Sequence, residues 1–374
     1  MSRAGVVLTG GGARGAYQVG VFKAISDQLP DLHYPFPIIC GSSAGAINAV
    51  GLGCSGDIFR HSVERLEALW SGLETAHVYR SDYWGMAKRM GHFLKAFLGG
   101  EDNEIPASML DNSPLRDFLS TAMDLKRLKY NIDHSDIRAV CVTACGYKSG
   151  QSVSFFQAEH GVEGWHLGQR VGIQTELNVD HLMASSAIPT IFPPVKIHRE
   201  YFGDGVVRNM APLSPAIHLG ADRILVIGVS ANRVCTMTRR PAIDFPKLPQ
   251  IMEHLLNGAF IDVVENDIDK ALLVNQLLNL IPERTLEENN INLRPIEMLV
   301  ISPSEPIDEI AARHVSTLPK PVRQFLGQNK PNPEGGASMA SYLLFEGPFL
   351  KDLVALGYRD AQAHARQIET FFAN

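Results

Sequence analysis

Two short apolar runs near the start of the chain each lead directly into a glycine-rich turn. The run VVL at 6–8 is followed by GGGARG at 10–15, and IIC at 38–40 is followed by GSSAG at 41–45. Apolar runs of this length predict buried strands, and the residues after each turn carry apolar positions at helical spacing. Strand, helix, strand and helix in this order predict an α/β fold with a parallel sheet covered by helices.

The rest of the chain continues this alternation with one interruption. Apolar and β-branched runs predict strands at 4–9, 36–40, 138–144, 151–156, 223–229 and 296–301. Helical spacing predicts helices at 15–29, 44–54, 57–72, 178–187 and 249–280, and a helical tail from 341 onward. The stretch 81–129 is helical but irregular, and 314–338 is rich in Pro, Gly and polar residues, which predicts a loop.

Composition excludes several classes of protein. The chain has 374 residues, of which 45% are hydrophobic and 20% charged, with a net charge of -6. This balance is unsuited to nucleic acid and gives no strong whole-molecule attraction to an anionic membrane. The cysteines are few and odd in number, which predicts reduced thiols and neither a disulfide framework nor a metal site. They are Cys40, Cys54, Cys141, Cys145 and Cys235.

The sequence shows no signal peptide and no run of about 18 apolar residues that could span a membrane. These two observations predict a cytoplasmic protein, in which any contact with lipid is transient and peripheral. No cofactor is expected, and the oligomeric state is left open.

Ser43 lies at the centre of the G-x-S-x-G pattern between Gly41 and Gly45. Glycines on both sides allow a sharp, strained turn between strand and helix, and this turn exposes the hydroxyl to a substrate. The first glycine cluster supplies backbone N–H groups at a helix start, where an oxyanion can be held. Together the two clusters predict acyl transfer by a nucleophilic serine.

A serine nucleophile needs a neighbouring base that accepts its proton. The usual α/β-hydrolase order of Ser, acid and His is disfavoured, because that fold positions its nucleophile after several strands rather than two. Three histidines, His77, His218 and His254, belong to no recognisable motif and are interpreted as packed or solvated. Asp204 lies between two glycines at the end of a strand-like segment. If burial raises its pKa toward neutrality, this carboxylate can accept the serine proton directly.

The first glycine cluster also satisfies a dinucleotide-binding fingerprint, through Gly10, Gly12 and Gly15. That interpretation needs an acidic residue at the end of the second strand to hold a ribose. The strand instead ends in Cys40 and the serine turn, and Asp31 lies before it. Nucleotide binding is therefore the minor alternative.

Four motifs in order resemble the bacterial branch of the patatin-like phospholipases. They are GGGARG at 10–15, GSSAG at 41–45, ASSAIP at 184–189 with FPP at 192–194, and DG at 204–205. The resemblance covers roughly 4–230, and SYLLFE at 341–346 resembles C-terminal stretches of the same branch. It implies a three-layer α/β/α sandwich with a mainly parallel sheet and a helical C-terminal extension. We expect a catalytic domain at 1–304, with a helical insertion at about 57–130, and the extension packed on it at 305–374. The stretch 328–337 is the best candidate boundary.

The resemblance further implies a serine–aspartate dyad without histidine that acts on lipid esters. Ser43 would be the nucleophile and Asp204 the general base. The oxyanion hole would be formed by the backbone amides around Gly11, Gly12 and Ala13, with Arg14 as a contributor. Arg14 could equally be a surface residue or a structural ion-pair partner instead of a contributor to the oxyanion hole. One departure is Val206, where the family usually has Gly or Ala.

Residues 83–98 form a basic amphipathic pattern. Seven residues share one face at helical spacing: Tyr83, Met86, Ala87, Met90, Phe93, Leu94 and Phe97. The opposite face carries Lys88, Arg89, His92 and Lys95. We favour a helix that buries its apolar face on the protein. A lid, an acyl-chain wall and contact with a lipid surface remain open alternatives.

The function indicated by these observations is a lipid acyl hydrolase that cleaves phospholipid or lysophospholipid through an acyl-enzyme. Two alternatives remain. One is a general esterase or thioesterase with the same motifs. The other is a non-hydrolytic regulatory protein that binds a lipid or a nucleotide.

Overall fold

A mixed sheet of ten strands lies at the centre of the chain. The computed structural model describes residues 3–55, 58–97, 108–230, 251, 254–255, 257–291, 293–326 and 337–373. The strands are β1 (Ala4–Leu8), β2 (Ile38–Ser42), β3 (Ala139–Gly146), β4 (Ser152–Ala158), β5 (Trp165–Leu167), β6 (Arg170–Gln174), β7 (Val195–Ile197), β8 (Glu200–Asp204), β9 (Arg223–Ile227) and β10 (Glu297–Ile301). All six strands predicted from apolar runs are present, with small shifts at their ends.

The main path of the sheet runs in the order β10-β9-β1-β2-β3-β4-β6-β5. The five strands from β10 to β3 are parallel to one another. Beyond β3 the sheet becomes mixed, because β4 runs antiparallel to β3 and β5 antiparallel to β6. The short strands β5, β6 and β7 were not predicted from the sequence, since each is brief and partly exposed and lacks a continuous apolar run.

The hairpin of β7 and β8 lies off the main path. β8 pairs antiparallel with the last three residues of β3, and Asp204 is opposite Ala144. The other edge of β3 is occupied by β4, so β8 lies on the same edge as β2, where Thr143 pairs with Ser42. The carboxyl ends of β2 and β8 therefore meet along one edge of β3.

Helices connect and cover the strands. They are α1 (Ala16–Gln28), α2 (Ala44–Cys54), α3 (Phe59–Ser71), α4 (Thr75–Val78), α5 (Tyr83–Phe97), α6 (Ser113–Ala122), α7 (Leu125–His134), α8 (Val179–Ser185), α9 (Ser214–His218), α10 (Val263–Leu278), α11 (Glu283–Glu288), α12 (Ile307–His314), α13 (Lys320–Phe325), α14 (Ala337–Leu343), α15 (Gly347–Ala363) and α16 (Ala365–Ala373). None of the helices within the described residues is long and apolar enough to cross a membrane.

The core has two layers, one on each face of the sheet. Successive side chains of a strand point to opposite faces. In β1, Val6 and Leu8 belong to the apolar cluster that contains residues of α1, α2, α3 and α15. Val7 belongs to a second cluster with residues of α9, against which Val264 and Ile268 of α10 pack. The expected α/β sandwich is confirmed, and its sheet joins the parallel strands from β10 to β3 with antiparallel pairs at and beyond β3.

The helical tail is also confirmed, and it packs tightly against the N-terminal half. A Cβ atom on Gly20 of α1 would overlap the carbonyl oxygen of Val354, and one on Gly357 of α15 would overlap that of Tyr17. The two helices therefore approach more closely than residues with a side chain would allow. The hydroxyl of Tyr17 also donates to the carboxylate of Asp360 at 3.0 Å.

The prediction of a loop over 314–338 was wrong at Lys320–Phe325, which forms α13. Pro319 precedes the helix and Pro321 lies in its first turn, where proline is well tolerated. Burial of Val322 and Leu326 then holds this short helix in place. Of the boundary proposed at 328–337, all but the last residue lies outside the described residues. The division into domains therefore remains a proposal.

Candidate active site

Ser43 occupies a strained turn between β2 and α2. Its φ is 54° and its ψ is -128°, a backbone conformation that a residue with a side chain rarely adopts. Both flanking glycines are required by close contacts. A Cβ on Gly41 would overlap the carbonyl oxygen of Gly45, and one on Gly45 would overlap that of Leu8. The glycines of the G-x-S-x-G pattern are therefore needed because the turn leaves no room for a side chain on either side of Ser43, as the sequence predicted.

Ser185 holds this turn from the side of α8. Its Oγ accepts a hydrogen bond from the backbone N–H of Ser43 at 2.8 Å and donates one to the carbonyl of Thr143 at 2.7 Å. Ser185 was not predicted as a site residue. Its position in the ASSAIP motif at 184–189 was the signal that could have indicated this role.

Asp204 ends β8 and is fully buried. Its Oδ1 accepts from the N–H of Val206 at 3.0 Å, and its own N–H donates to Ala187 at 2.9 Å. A Cβ on Gly205 would overlap the carbonyl oxygen of Thr143, so glycine is required next to the aspartate. Val206, the departure from the family pattern, is accommodated in the short 3₁₀ turn Gly205–Val207.

Burial raises the pKa of Asp204 to about 7. The hydroxyl of Ser43 and the backbone N–H of Val206 act in the opposite direction and moderate this rise. The Ser43 hydroxyl is thus close enough to influence the carboxylate, although no hydrogen bond of ordinary geometry joins the two side chains. Oδ2 of Asp204 has no hydrogen-bond partner among the described residues. This oxygen is the one that remains able to accept a proton.

The first glycine cluster forms a 3₁₀ turn, Gly12–Gly15, between β1 and α1. Gly12 has a φ of 57°, and a Cβ on it would overlap the carbonyl oxygen of Tyr342. Gly11 precedes the turn and Ala13 is buried within it. The first N–H groups of a helical turn have no acceptor within the turn, so this segment can donate to an anion.

The side chain of Arg14 is buried and engaged with the C-terminal region. Its Nη2 lies 2.6 Å from Oδ1 of Asp308, and its Nε donates to Oγ of Ser341 at 2.8 Å. The guanidinium carbon lies 4.0 Å from the centre of the Tyr342 ring. Of the roles considered, the surface position is wrong and the ion pair is present. A contribution of Arg14 to the oxyanion hole stays a prediction.

A buried polar network connects the two glycine turns. Asn48 of α2 donates to the carbonyl of Gly15 at 3.0 Å and to the side chain of Gln18 at 2.8 Å. Its own oxygen accepts from the indole N–H of Trp70 at 2.7 Å. Gln18 in turn donates to the carbonyl of Thr9 at 2.8 Å. These residues were not predicted, because nothing in their spacing shows that they meet.

An apolar pocket lies beside the serine. Its lining includes Gly12, Ser43 and the buried Ser186, whose hydroxyl has no hydrogen-bond partner in the described part of the chain. Most of the wall is aliphatic or aromatic: Ala44, Ile47, Leu69, Trp70, Leu73, Val78, Leu115, Phe118, Leu119, Ile188, Phe192, Tyr342 and Phe345. Such a pocket is suited to a hydrocarbon chain.

The histidines that were considered as bases have other contacts. His77 caps α4 and stacks on Phe118, and His218 stacks on Trp165. His254 is exposed. Over the ranges that the structure describes, no group of His, Cys, Asp and Glu side chains is arranged to hold a metal ion.

The fold and the site define an α/β protein in which a serine turn, a buried aspartate and an apolar pocket share one edge of the sheet. The family of patatin-like phospholipases matches this chain over residues 6–217. The chain belongs to that family, whose members are lipid acyl hydrolases. The resemblance seen in the four motifs is thereby confirmed.

VipD from Legionella pneumophila is a similar solved structure, with a TM-score of 0.36 and 13% sequence identity. The alignment covers 98% of this chain and 67% of VipD. At these values the likeness carries no argument about the site. No curated protein matches this chain.

Proposed function

We propose that this protein hydrolyses the carboxylic ester bonds of phospholipids or lysophospholipids through a dyad of Ser43 and Asp204. The observation that carries the proposal is the strand pairing along one edge of β3. Ser42 pairs with Thr143, and Asp204 pairs with the next residue of the same edge, Ala144. This pairing supports a direct proton transfer between the residue that follows Ser42 and the carboxylate.

In the proposed first step, Oδ2 of Asp204 accepts the proton of the Ser43 hydroxyl while Oγ attacks the ester carbonyl. The resulting tetrahedral oxyanion collapses, the bond to the alcohol breaks, and Asp204 returns the proton to the leaving oxygen. A fatty acyl group then remains on Oγ. In the second step Asp204 deprotonates a water molecule, which attacks the carbonyl of the acyl-enzyme. The bond to Oγ then breaks, Asp204 returns the proton to Oγ of Ser43, and the fatty acid is released.

The oxyanion is stabilised by backbone N–H groups of Gly11, Gly12 and Ala13. Gly12 lines the same pocket as Ser43, which supports this role. Helix α2 begins directly after the serine, so the positive end of its dipole also favours negative charge there. Removing one oxyanion donor typically lowers the rate by about 10²–10³.

The substrate class follows from the pocket. Its wall is almost entirely hydrocarbon, which supports a fatty acyl chain as the group that enters. A general esterase or thioesterase would use the same dyad. A lipid acyl hydrolase and a general esterase or thioesterase can be distinguished by their substrates. Mass spectrometry of the products released from a panel of lipids and thioesters shows which substrates are cleaved.

The decisive experiment compares wild type with Ser43→Ala on a short-chain nitrophenyl ester and on lysophospholipid. We expect the variant to lose both activities and to lose labelling by a fluorophosphonate probe. Ser62→Ala, another buried serine in α3, is the matched control and should retain both. Equal rates in wild type and Ser43→Ala would overturn the proposal. A folded wild-type protein that binds lipid tightly but is never labelled would favour the non-hydrolytic alternative.

A further inference from the structure

The outward face of α5 has an unusual composition for an exposed helix. Trp84 is 88% exposed. Tyr83 is 59% exposed, and its hydroxyl donates to Oε1 of Gln324 in α13. Met90 lies in the adjacent stripe and is 36% exposed. Large aromatic side chains normally bury most of their area, so an exposed Trp–Tyr pair indicates a surface that meets another phase or partner.

The structure corrects the expected orientation of this helix. Met86 packs against the core, as the favoured interpretation requires. Tyr83, Ala87 and Met90, however, are exposed, whereas Arg89 is partly buried. Leu98 and the side chains of Phe93, Leu94 and Phe97 lie outside the described part of the helix. Only part of the apolar stripe therefore packs against the protein, and the rest of its described residues are exposed.

Two lysines complete the outward face. Trp84, Lys88, Gly91 and Lys95 are spaced as neighbours on one side of a helix, and both lysines are exposed. A Cβ on Gly91 would meet no atom within 4 Å, so this side is open.

This helix is tied to the wall of the acyl pocket. Nη2 of Arg89 forms an ion pair with Asp111 at 2.9 Å. Next to Asp111, the N–H of Leu110 donates to the carbonyl of Ile191 at 2.8 Å, and the following Phe192 lines the pocket. On its other side α5 follows α4, whose Val78 also lines the pocket.

We propose that the face of α5 formed by Tyr83, Trp84, Lys88, Met90 and Lys95 docks the protein on the surface of an anionic lipid bilayer. Trp and Tyr favour the interface between headgroups and acyl chains, and Lys side chains bind anionic headgroups. Docking there holds the acyl pocket beside the bilayer. Its purpose rests on the proposed hydrolase function, but the binding itself does not require Ser43.

The test uses the full chain and vesicle flotation with two compositions, pure phosphatidylcholine and phosphatidylcholine mixed with phosphatidylglycerol. Wild type and Ser43→Ala should both float with the mixed vesicles, more weakly with the pure ones, and less at high salt. Each lysine near an anionic surface contributes about fivefold in affinity. The Trp84→Ala, Lys88→Glu, Lys95→Glu variant should therefore bind at least about 25-fold more weakly.

Helix α7 offers a matched control. It also exposes two lysines and an aromatic residue, Lys126, Lys129 and Tyr130. Asn131 of α7 bonds to the carbonyls of Gly53 and Ser55, at the end of α2 remote from Ser43. Tyr130→Ala with Lys126→Glu and Lys129→Glu should retain vesicle binding.

Rates of ester hydrolysis distinguish membrane docking by α5 from catalysis by the Ser43–Asp204 dyad. The α5 variant should hydrolyse a monomeric nitrophenyl ester at the wild-type rate and lose activity only on vesicle lipid. Loss of vesicle binding in the α7 variant to the same extent, or wild-type binding by the α5 variant, would overturn docking by α5. Failure of wild type to bind either vesicle would overturn it too, and would indicate a protein partner for this face. Retained ester hydrolysis in Ser43→Ala would instead overturn the dyad and leave docking standing.

Discussion

Asp204 is a carboxyl group that the fold buries without a full set of hydrogen bonds. A carboxylate in water is ionised well below neutral pH, and burial opposes that ionisation. The raised pKa, about 7, makes Asp204 a stronger base toward the Ser43 hydroxyl than an exposed aspartate would be. The same burial costs the folded protein stability whenever the group is charged.

We predict that activity depends on pH through this group. The general base must be deprotonated, so kcat/KM on a soluble ester should rise with pH and level off above pH 7. Below that value it should fall about tenfold for each unit of pH. A pH–rate profile over the range in which the protein stays folded tests this. A rate that stays level well below the pKa of Asp204 would contradict it.

We also predict that Asp204→Asn inactivates the enzyme and stabilises it at alkaline pH. The folded-state pKa lies above that of the unfolded chain, about 4. The wild type therefore loses stability as pH rises from about 4 through the folded pKa, and the amide variant does not. We expect a gain of about 1–3 kcal/mol above neutral pH that shrinks in acid. Urea unfolding of both proteins at two pH values measures it, and an equal difference at both would contradict the reasoning.

The Gly12–Gly15 turn, proposed above to hold the oxyanion (the oxyanion turn), is supported by elements other than β1 and α1. The Arg14 side chain is held by α12 and α14 through Asp308 and Ser341, and the Tyr342 carbonyl lies against Gly12. The C-terminal helices thus brace a loop near the beginning of the chain. Their contacts lie beyond the family match, which ends at residue 217.

We predict that Asp308→Ala lowers both stability and kcat. It leaves the buried Arg14 guanidinium without its carboxylate, which should cost about 2–4 kcal/mol. Movement of the oxyanion turn should lower kcat by about tenfold to a hundredfold with little change in KM. Asp352→Ala, which removes a more exposed pair with His314 of the same helix, should cost less than about 1 kcal/mol and leave kcat unchanged. Equal effects of the two substitutions would contradict the bracing role.

At the scale of the whole molecule, the pocket is assembled from distant segments. Leu69 and Trp70 come from α3, Leu115 from α6 and Phe345 from the segment after α14. Because the wall draws on both the 57–130 stretch and the C-terminal region, the size of the group that fits the pocket is a property of the folded molecule.

We predict that Leu115→Phe shifts the preference toward short acyl chains. The larger ring fills part of the apolar pocket, so kcat/KM for a long-chain ester should fall about tenfold. Hydrolysis of a short-chain ester, measured on the same preparation, serves as the control and should change little. A proportional loss on both substrates would indicate that the substitution disturbs the site rather than the pocket.

The local sequence was enough to predict the two glycine turns and the serine at the centre of the second. Those features depend on residues that are neighbours in the chain, so the need for glycine at positions 41 and 45 is visible in the pattern. The apolar runs likewise predicted the parallel strands, because a strand buried on both faces must be apolar along its length. The short strands β5 to β7 carried no such signal.

Contacts between residues far apart in the chain depend on tertiary packing and could not be predicted from the local sequence. Antiparallel pairing of β8 with β3 brings Asp204 toward Ser43, and helix packing gives Arg14 its partner in Asp308. The rotation of α5 that exposes Trp84 likewise depends on what the helix packs against. Local pattern specifies backbone conformation, but burial, pairing register and the pKa of a carboxylate depend on atoms far away in the chain, and no local pattern reports them.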